Sequence, residues 1–224
     1  MSLDTPWQIE QTWGSNQPVL KGITEILKPK FGIECGCGFF STPILCENVG
    51  NLLTVEHDRN WVKKVQMKYP PTSDHQYTIQ TLEGASNGAS HEKIGKDTFK
   101  VIDAFYSGII KPYRYINFLL IDTFRCARVP AAKILAPIAE VVVIHDVRPC
   151  SREYYQYNRL DKMFEDWIRY EHRPKGMINK KHIIPWTAVY SREPLELDKI
   201  NPIIKKDSKR LWDQSVGLEI IDGS

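Results

Sequence analysis

The sequence predicts a doubly wound α/β fold with a mostly parallel sheet, on three observations. Four segments read as near-continuous apolar strands: FGIEC at 31–35, NLLTVE at 51–56, YINFLLI at 115–121 and EVVVIHD at 140–146. Stretches with helical spacing separate them, and strands that alternate with helices and are apolar on both faces build a parallel sheet covered on both sides. The strands also end in chemically loaded residues: a GCG turn, Asp122, and the pair His145 and Asp146. Ligands in such folds bind outside the carboxyl ends of the strands.

The elements follow in chain order. Residues 18–28 place Val19, Leu20, Ile23, Ile26 and Leu27 on one helical face, and Pro29 stops the helix. Strand 31–35 runs into Gly36-Cys37-Gly38. A helix opens at 41–48, with Ser41 the expected N-cap and Pro43 in its first turn. Strand 51–56 is followed by a helix at 59–68 and the Pro70-Pro71 break, with a third strand near 76–80. Residues 84–98 read as a polar loop. After strand 115–121 come a helix at 128–139, strand 140–146, a helical region at 151–168, and a strand at 183–191 that Pro185 pushes toward an edge or bulge. Residues 216–221 offer one more strand. No internal repeat and no domain boundary stands out, so a single domain over 1–224 with its core in 18–191 is expected.

The composition narrows the function classes. In 224 residues, 30 basic and 27 acidic side chains give a net charge of +3, too balanced to argue for nucleic acid. Residues 169–210 hold 11 Lys and Arg against 5 Asp and Glu, which suits either a solvated surface or an anionic partner. Apolar stretches such as 118–121 and 141–144 are far shorter than the roughly 20 residues a membrane helix needs. The first residues, MSLDTPWQIEQ, lack a basic segment followed by an apolar one, so a cytoplasmic location is expected. Five cysteines without a CxxC pair fit reduced thiols better than disulfides or zinc.

The most informative stretch is IECGCGFFST at 33–42 followed by NLLTVEHD at 51–58. A GxG turn between strand and helix lets the backbone approach a ligand with no Cβ in the way. Glu34 precedes the turn, and Glu56 ends the next strand, where a carboxylate can accept both hydroxyls of a ribose. A dinucleotide fingerprint would place a third glycine at Ser41, and an acid at Glu34 would oppose a pyrophosphate. Glu34 suits a cationic ligand group instead, such as the amino group and sulfonium of S-adenosyl-L-methionine. The pattern resembles the first two motifs of class I S-adenosylmethionine-dependent methyltransferases, over roughly residues 30–146. That resemblance implies a Rossmann-like sheet of about seven strands, the seventh antiparallel. It also implies that Gly36, Gly38 and Glu34 lie against the methionine part of the cofactor and Glu56 against its ribose. The family's third glycine falls on Phe40 or Ser41, depending on register. The adenine edge is expected near His57, Asp58 and the segment Leu82, Glu83 and Gly84.

The chemistry is expected at the ends of FLLIDTFRCAR and VVVIHDVRP. Methyl transfer to a hydroxyl needs alignment and a proton acceptor. His145 or Asp122 could accept the proton, with Asp146 beside them or orienting His145. A divalent metal on Asp122 and Asp146 is the catechol-type alternative. It is not favoured, because that family's third ligand, an Asn after the second Asp, is Val147 here. The same two segments are similar to the plant glucuronoxylan 4-O-methyltransferases, although Thr123 and Phe124 replace their Gly-Pro; this implies oxygen methylation of a sugar-like acceptor. Arg125, Arg128 and Arg148 follow the two aspartates, and could bind an anionic group of the acceptor or pair with carboxylates of neighbouring loops. The expected partner is thus a small hydroxylated or saccharide acceptor, with no membrane partner. A nicotinamide-dependent oxidoreductase, a non-catalytic nucleotide-binding module and an RNA methyltransferase are the rivals. Nucleic acid is disfavoured because no Asn-Pro-Pro-Tyr-type motif follows the fourth strand.

Overall fold

Five strands assemble the parallel part of the sheet, four of them mostly buried and the outermost, HQYTI, partly open to solvent. They are β1 (Phe31–Cys35), β2 (Asn51–Glu56), β3 (His75–Ile79), β4 (Ile116–Ile121) and β5 (Ala139–His145). The computed structural model describes residues 10–79 except 12, 96–178 and 182–221. Three later strands join the same sheet: β6 (Ile168–His172), β9 (Thr187–Ser191) and β10 (Leu218–Ile220), while β7 (Met177–Ile178) and β8 (His182–Ile183) form a separate small hairpin. The order is β10-β6-β9-β5-β4-β1-β2-β3. Strands β1 to β5 pair in parallel, and β9 runs antiparallel to β5 and β6. The expected doubly wound, mostly parallel architecture with an antiparallel strand beyond β5 is therefore present, with eight strands in the main sheet.

The helices are α1 (Gln17–Leu27), α2 (Ser41–Asn48), α3 (Arg59–Lys68), α4 (Lys96–Ile110), α5 (Arg128–Leu135), α6 (Pro149–Tyr155) and α7 (Leu197–Trp212). The period-2 alternation of the strands sends side chains to two separate cores. On one face Phe118, Leu120, Val141, Val143 and Tyr170 pack with Val19, Leu20 and Ile23 of α1 and Ile200 and Ile204 of α7. On the other, Leu119, Ile121, Val142 and Ile144 pack with Ile102 and Tyr106 of α4 and Val129, Ala132 and Leu135 of α5. Burial on both faces is why β4 and β5 lack polar alternation.

Several local expectations change. Ser41 is the first residue inside α2 rather than its N-cap, because its hydroxyl is drawn down to Glu34. Asp58 is a cap the sequence reading missed: its carboxylate accepts from the amides of Asn60 and Trp61 at the start of α3. The helical region expected at 151–168 breaks at Gln156, which adopts φ +59° and ends α6; a 3-10 segment, Tyr157–Phe164, follows, and β6 begins at 168. The 183–191 strand is not at an edge. Pro185 lies before β9, so the proline leaves the ladder of an interior strand intact. Helix α7 went unrecognised; it carries Pro202 inside its first turns. The polar loop at 84–98 falls mostly outside the described residues, although α4 already starts at 96.

The sheet continues past residue 191, and one side chain fixes its last strand. Asn201 of α7 accepts from the Leu218 amide at 2.7 Å and donates to the Leu218 carbonyl at 3.1 Å. Replacing Asn201 by Ala leaves both backbone groups without that partner, a local cost of about 1–3 kcal/mol. Hydrogen exchange should then speed up at the β10 amides 218–220 with little change in β4 or β5. Unaltered β10 protection would refute this anchoring.

Candidate functional site

A cavity of about 920 Å³ opens at the carboxyl ends of β1, β2, β4 and β5, and its lining includes Gly36, Gly38, Glu56, Asp122, His145 and Asp146. It is in the size range of small-ligand sites. At its floor is the glycine turn. Gly36 has φ +96°, and a Cβ there would lie 2.4 Å from the Asp122 carbonyl oxygen, so only glycine lets the two strand ends meet. The three amides of the turn all have partners within the protein. Gly36 N–H donates to the Val55 carbonyl at 2.8 Å, Cys37 N–H to Glu56 Oε2 at 3.1 Å, and Gly38 N–H to Thr42 Oγ1 at 3.0 Å. Trp61 Nε1–H closes the turn from outside by donating to the Cys37 carbonyl at 2.7 Å.

Glu56 caps this arrangement. Its Oε1 accepts from the amides of His57 and Asp58 with the His57 ring also against it, and its Oε2 accepts from the Cys37 amide, while the Cys37 thiol also bonds to the carboxylate. The carboxylate stands at the cavity wall. Of the residues expected near adenine, His57 and Asp58 line the cavity; Leu82, Glu83 and Gly84 lie outside the described residues.

Glu34 departs from its expected place. It has 0% exposure and does not line the cavity. Ser41 Oγ donates to its Oε1 at 2.7 Å, Thr54 Oγ1 to its Oε2 at 2.8 Å, and Thr42 Oγ1 lies 3.0–3.1 Å from both oxygens. Since Thr42 also accepts from Gly38, Glu34 braces the turn from below instead of touching a ligand. Burial drives its pKa up to about 7, against the pull of the three hydroxyls.

The far end of the cavity centres on Asp122. Its Oδ1 accepts from Arg128 Nη2 at 2.8 Å and from His145 Nδ1 at 3.1 Å, and its Oδ2 accepts from Asn16 Nδ2 at 3.2 Å. The Asp122 side chain is 20% exposed. His145 lines the same cavity, but both its ring nitrogens are engaged, Nδ1 by Asp122 and Nε2 by Ser15 Oγ at 2.7 Å. Asp146 adopts φ +60°, and its Oδ1 accepts from Ser151 Oγ and Arg148 Nε. Burial works to raise the Asp146 pKa, but His145, Ser151, Arg148 and Arg128 together hold it below the ordinary carboxylate value.

The three arginines separate in role. Arg128 is buried and spends its N–H groups on Thr123 O, His145 O, Tyr157 Oη and Asp122, with its guanidinium over the Tyr155 ring. Desolvation opposes its charge, yet Tyr157 and Asp122 outweigh that and hold its pKa above the usual value. It is thus built into the protein and not left open as a free fork. Arg125 donates through Nε to the Tyr154 carbonyl and stacks at 3.5 Å on the Tyr154 ring, while lining the cavity. Arg148 reaches Asp146 and the Ile183 carbonyl. Ser15, Asn16, Thr42 and Thr54 were not singled out by sequence reasoning, because single hydroxyl and amide side chains carry no spacing signal.

Much of the basic segment is likewise paired. Arg169 and Arg173 both hold Glu171, Lys199 pairs with Glu196, and Arg210 binds Asp207 and Glu10. None of the five cysteines forms a disulfide. Among the described residues no cluster of three or more His, Cys, Asp or Glu is arranged to hold a metal ion, and no helix is long and apolar enough to cross a membrane.

No protein-family model matches the sequence, and no curated protein matches it. Solved structures share the fold. The N-methyltransferase NodS from Bradyrhizobium japonicum WM9, in complex with S-adenosyl-L-homocysteine, is 10% identical with a TM-score of 0.55, over 86% of this chain and 94% of that one. An rRNA methylase from Streptococcus thermophilus is 9% identical with a TM-score of 0.50, over 79% and 95%. A spermidine synthase in complex with the transition-state analogue AdoDATO is 11% identical with a TM-score of 0.51, over 90% of this chain and 64% of that one. The chain thus has the Rossmann-like fold found in methyltransferases. At these identities the likeness speaks for the fold alone, and none of these neighbours supports the finer likeness to glucuronoxylan enzymes.

The buried Glu34 gives the site a pH signature. Its folded pKa of about 7 lies above its ordinary value of 4.5, so the folded state binds the extra proton between these values. Stability therefore falls as pH rises from 4.5 to 7, by on the order of 3 kcal/mol from this group. Glu34→Gln should flatten that part of the stability–pH curve in urea melts. A variant curve parallel to the wild type through this window would count against the assignment.

Proposed function

We propose that the protein is an S-adenosyl-L-methionine-dependent methyltransferase acting on an oxygen of a small hydroxylated or saccharide acceptor that carries an anionic group. The observation that carries this reading is the sharing of one cavity by the glycine turn, Glu56 and the Asp122 carboxylate. The residues fit the cofactor. Gly36 lets the turn lie against the end of β4 at the cavity floor, Glu56 sets its carboxylate at the cavity wall to meet a ribose hydroxyl, and Trp61 and His57 flank the adenine side. The satisfied turn amides also weigh against a dinucleotide, since a pyrophosphate needs free N–H groups to bind.

When bound, S-adenosyl-L-methionine supplies an electrophilic methyl group on a sulfonium. The protein's part is alignment and proton removal. Asp122 Oδ2 keeps a lone pair beyond its bond to Asn16, and it is the atom that takes the acceptor's hydroxyl proton. Arg128 and His145 hold the carboxylate in place through Oδ1. Asp146 and Arg148 form the far wall, with Asp146 Oδ2 left open to an acceptor hydroxyl. This assigns catalysis to Asp122, with His145 and Asp146 acting beside it, and makes Arg128 a support for Asp122 while Arg125 meets the acceptor.

Calorimetry tests the cofactor. Glu56→Ala removes a hydrogen bond to a charged group and should weaken S-adenosylhomocysteine binding by about 10- to 150-fold. Unchanged affinity, or a wild-type preference for a nicotinamide dinucleotide, would end the methyltransferase reading.

Arg125 tests the acceptor. Its stacking on Tyr154 fixes the fork in advance, so Arg125→Ala should raise the acceptor KM and leave kcat and cofactor affinity nearly unchanged. Salt should weaken acceptor binding in the wild type more than in the variant. Equal salt dependence in both proteins would discard an anionic acceptor group at this position.

A further inference from the structure

The residues just before α1 make contacts that packing alone does not explain. Ser15 and Asn16 lie in a turn at 14–16, and each sends its side chain to one member of the Asp122–His145 pair. They are 0% and 1% exposed. The turn needs Gly14, where a Cβ would lie 2.8 Å from the Glu10 carbonyl oxygen. The segment is tied on its other side to the end of α7. Gln11 Nε2 donates to the Leu211 carbonyl, Trp212 Nε1 to the Gln11 carbonyl, and Arg210 pairs with Glu10.

The orientation of each side chain follows from its partner. A carboxylate only accepts, so the nitrogen of the Asn16 amide must face Asp122 and its oxygen must face away. That oxygen is buried and has no hydrogen-bond partner among the described residues. Asn16 also stands at the N-cap of α1 and makes no capping bond, although asparagine is among the best capping residues. It gives up one favourable contact and leaves a second group unpaired to keep its hold on Asp122. Such local conflicts concentrate at functional sites. By the same argument His145 carries a proton on Nδ1, facing Asp122, while its Nε2 lies 2.7 Å from the Ser15 hydroxyl.

We infer that Ser15 and Asn16 are positioning residues that clamp the Asp122–His145 pair from the N-terminal side. The clamp turns His145 Nε2 away from the acceptor and leaves Asp122 Oδ2 as the group presented to it. This rests on the reading of Asp122 as the atom that takes the acceptor's proton.

The test uses the full chain and needs no acceptor. A His145 Nδ1–H held against a carboxylate gives a downfield, slowly exchanging proton resonance, assigned by its loss in His145→Gln. Ser15→Ala and Asn16→Ala should each speed its exchange with water by about tenfold or more, the equivalent of losing one hydrogen bond. Asn16→Asp keeps the size but replaces the donor with a like charge, and should abolish the resonance with the circular dichroism spectrum retained. Ser15→Thr, which keeps the hydroxyl, should restore it. S-adenosylhomocysteine calorimetry on the same samples separates the two claims. Failure of the wild type to bind defeats the cofactor reading, while the resonance still decides the clamp. Equal protection of the resonance in both alanine variants and in Asn16→Asp would overturn the clamp. So would variants that lose the resonance and the fold together.

Discussion

The site depends on one part-buried negative charge and on how its desolvation is met. Asp122 directly follows β4, and an unpaired carboxylate drawn partly out of water there would be costly. Three parts of the chain answer it: Arg128 from α5, His145 from β5 and Asn16 from the turn before α1. Its backbone is held as well, since the Asp122 amide donates to the Cys35 carbonyl and the Asp122 carbonyl abuts Gly36. The same residue therefore joins the glycine turn to the presumed chemistry, and displacing it would disturb both.

Beneath the turn a second carboxylate does different work. Glu34 and Glu56 both flank the glycines, but their surroundings separate them. Glu56 is held by backbone amides at the cavity wall, and Glu34 by three hydroxyls in the interior. The hydroxyl network reaches further, because Thr54 Oγ1 lies 2.9 Å from His75 Nε2, and His75 Nδ1 lies 3.1 Å from Cys46 Sγ. A polar interior of this kind is stable only when its members are satisfied together. It gives the turn a rigid floor, which suits a site where backbone rather than side chain lies against a ligand.

Two positive-φ residues show where the backbone accepts strain near the cavity. Asp146 leaves β5 at φ +60°, which directs its carboxylate to Ser151 and Arg148. Gln156 ends α6 at φ +59° and turns the chain so that Tyr157 can reach Arg128. Neither is glycine, so each costs roughly 1–3 kcal/mol, which the packing of Tyr155 and Tyr157 about Arg128 offsets.

The sequence alone determined the parallel strands β1 to β5, the helices between most of them and the strand-end positions of Gly36, Glu56, Asp122 and His145, but not β6 or α7. These follow from local pattern: apolar runs at strand length, helical spacing and glycine where a turn needs it. It also held the expectation of an antiparallel strand, by resemblance. Tertiary structure decided which way each polar side chain turned. Glu34 and Glu56 both lie near the ends of strands beside the glycine turn, yet only Glu56 lines the cavity, because Thr42 and Thr54 arrive beneath Glu34 from α2 and β2. Arg125 and Arg128 look equivalent in a row, but the 3-10 turn and α5 send Arg128 inward to Asp122 and leave Arg125 at the mouth. Ser15 and Asn16 precede Asp122 and His145 by more than a hundred residues. No local pattern could have named them, since a hydrogen bond between distant segments is specified only when the two cores bring α1 and the ends of β4 and β5 together.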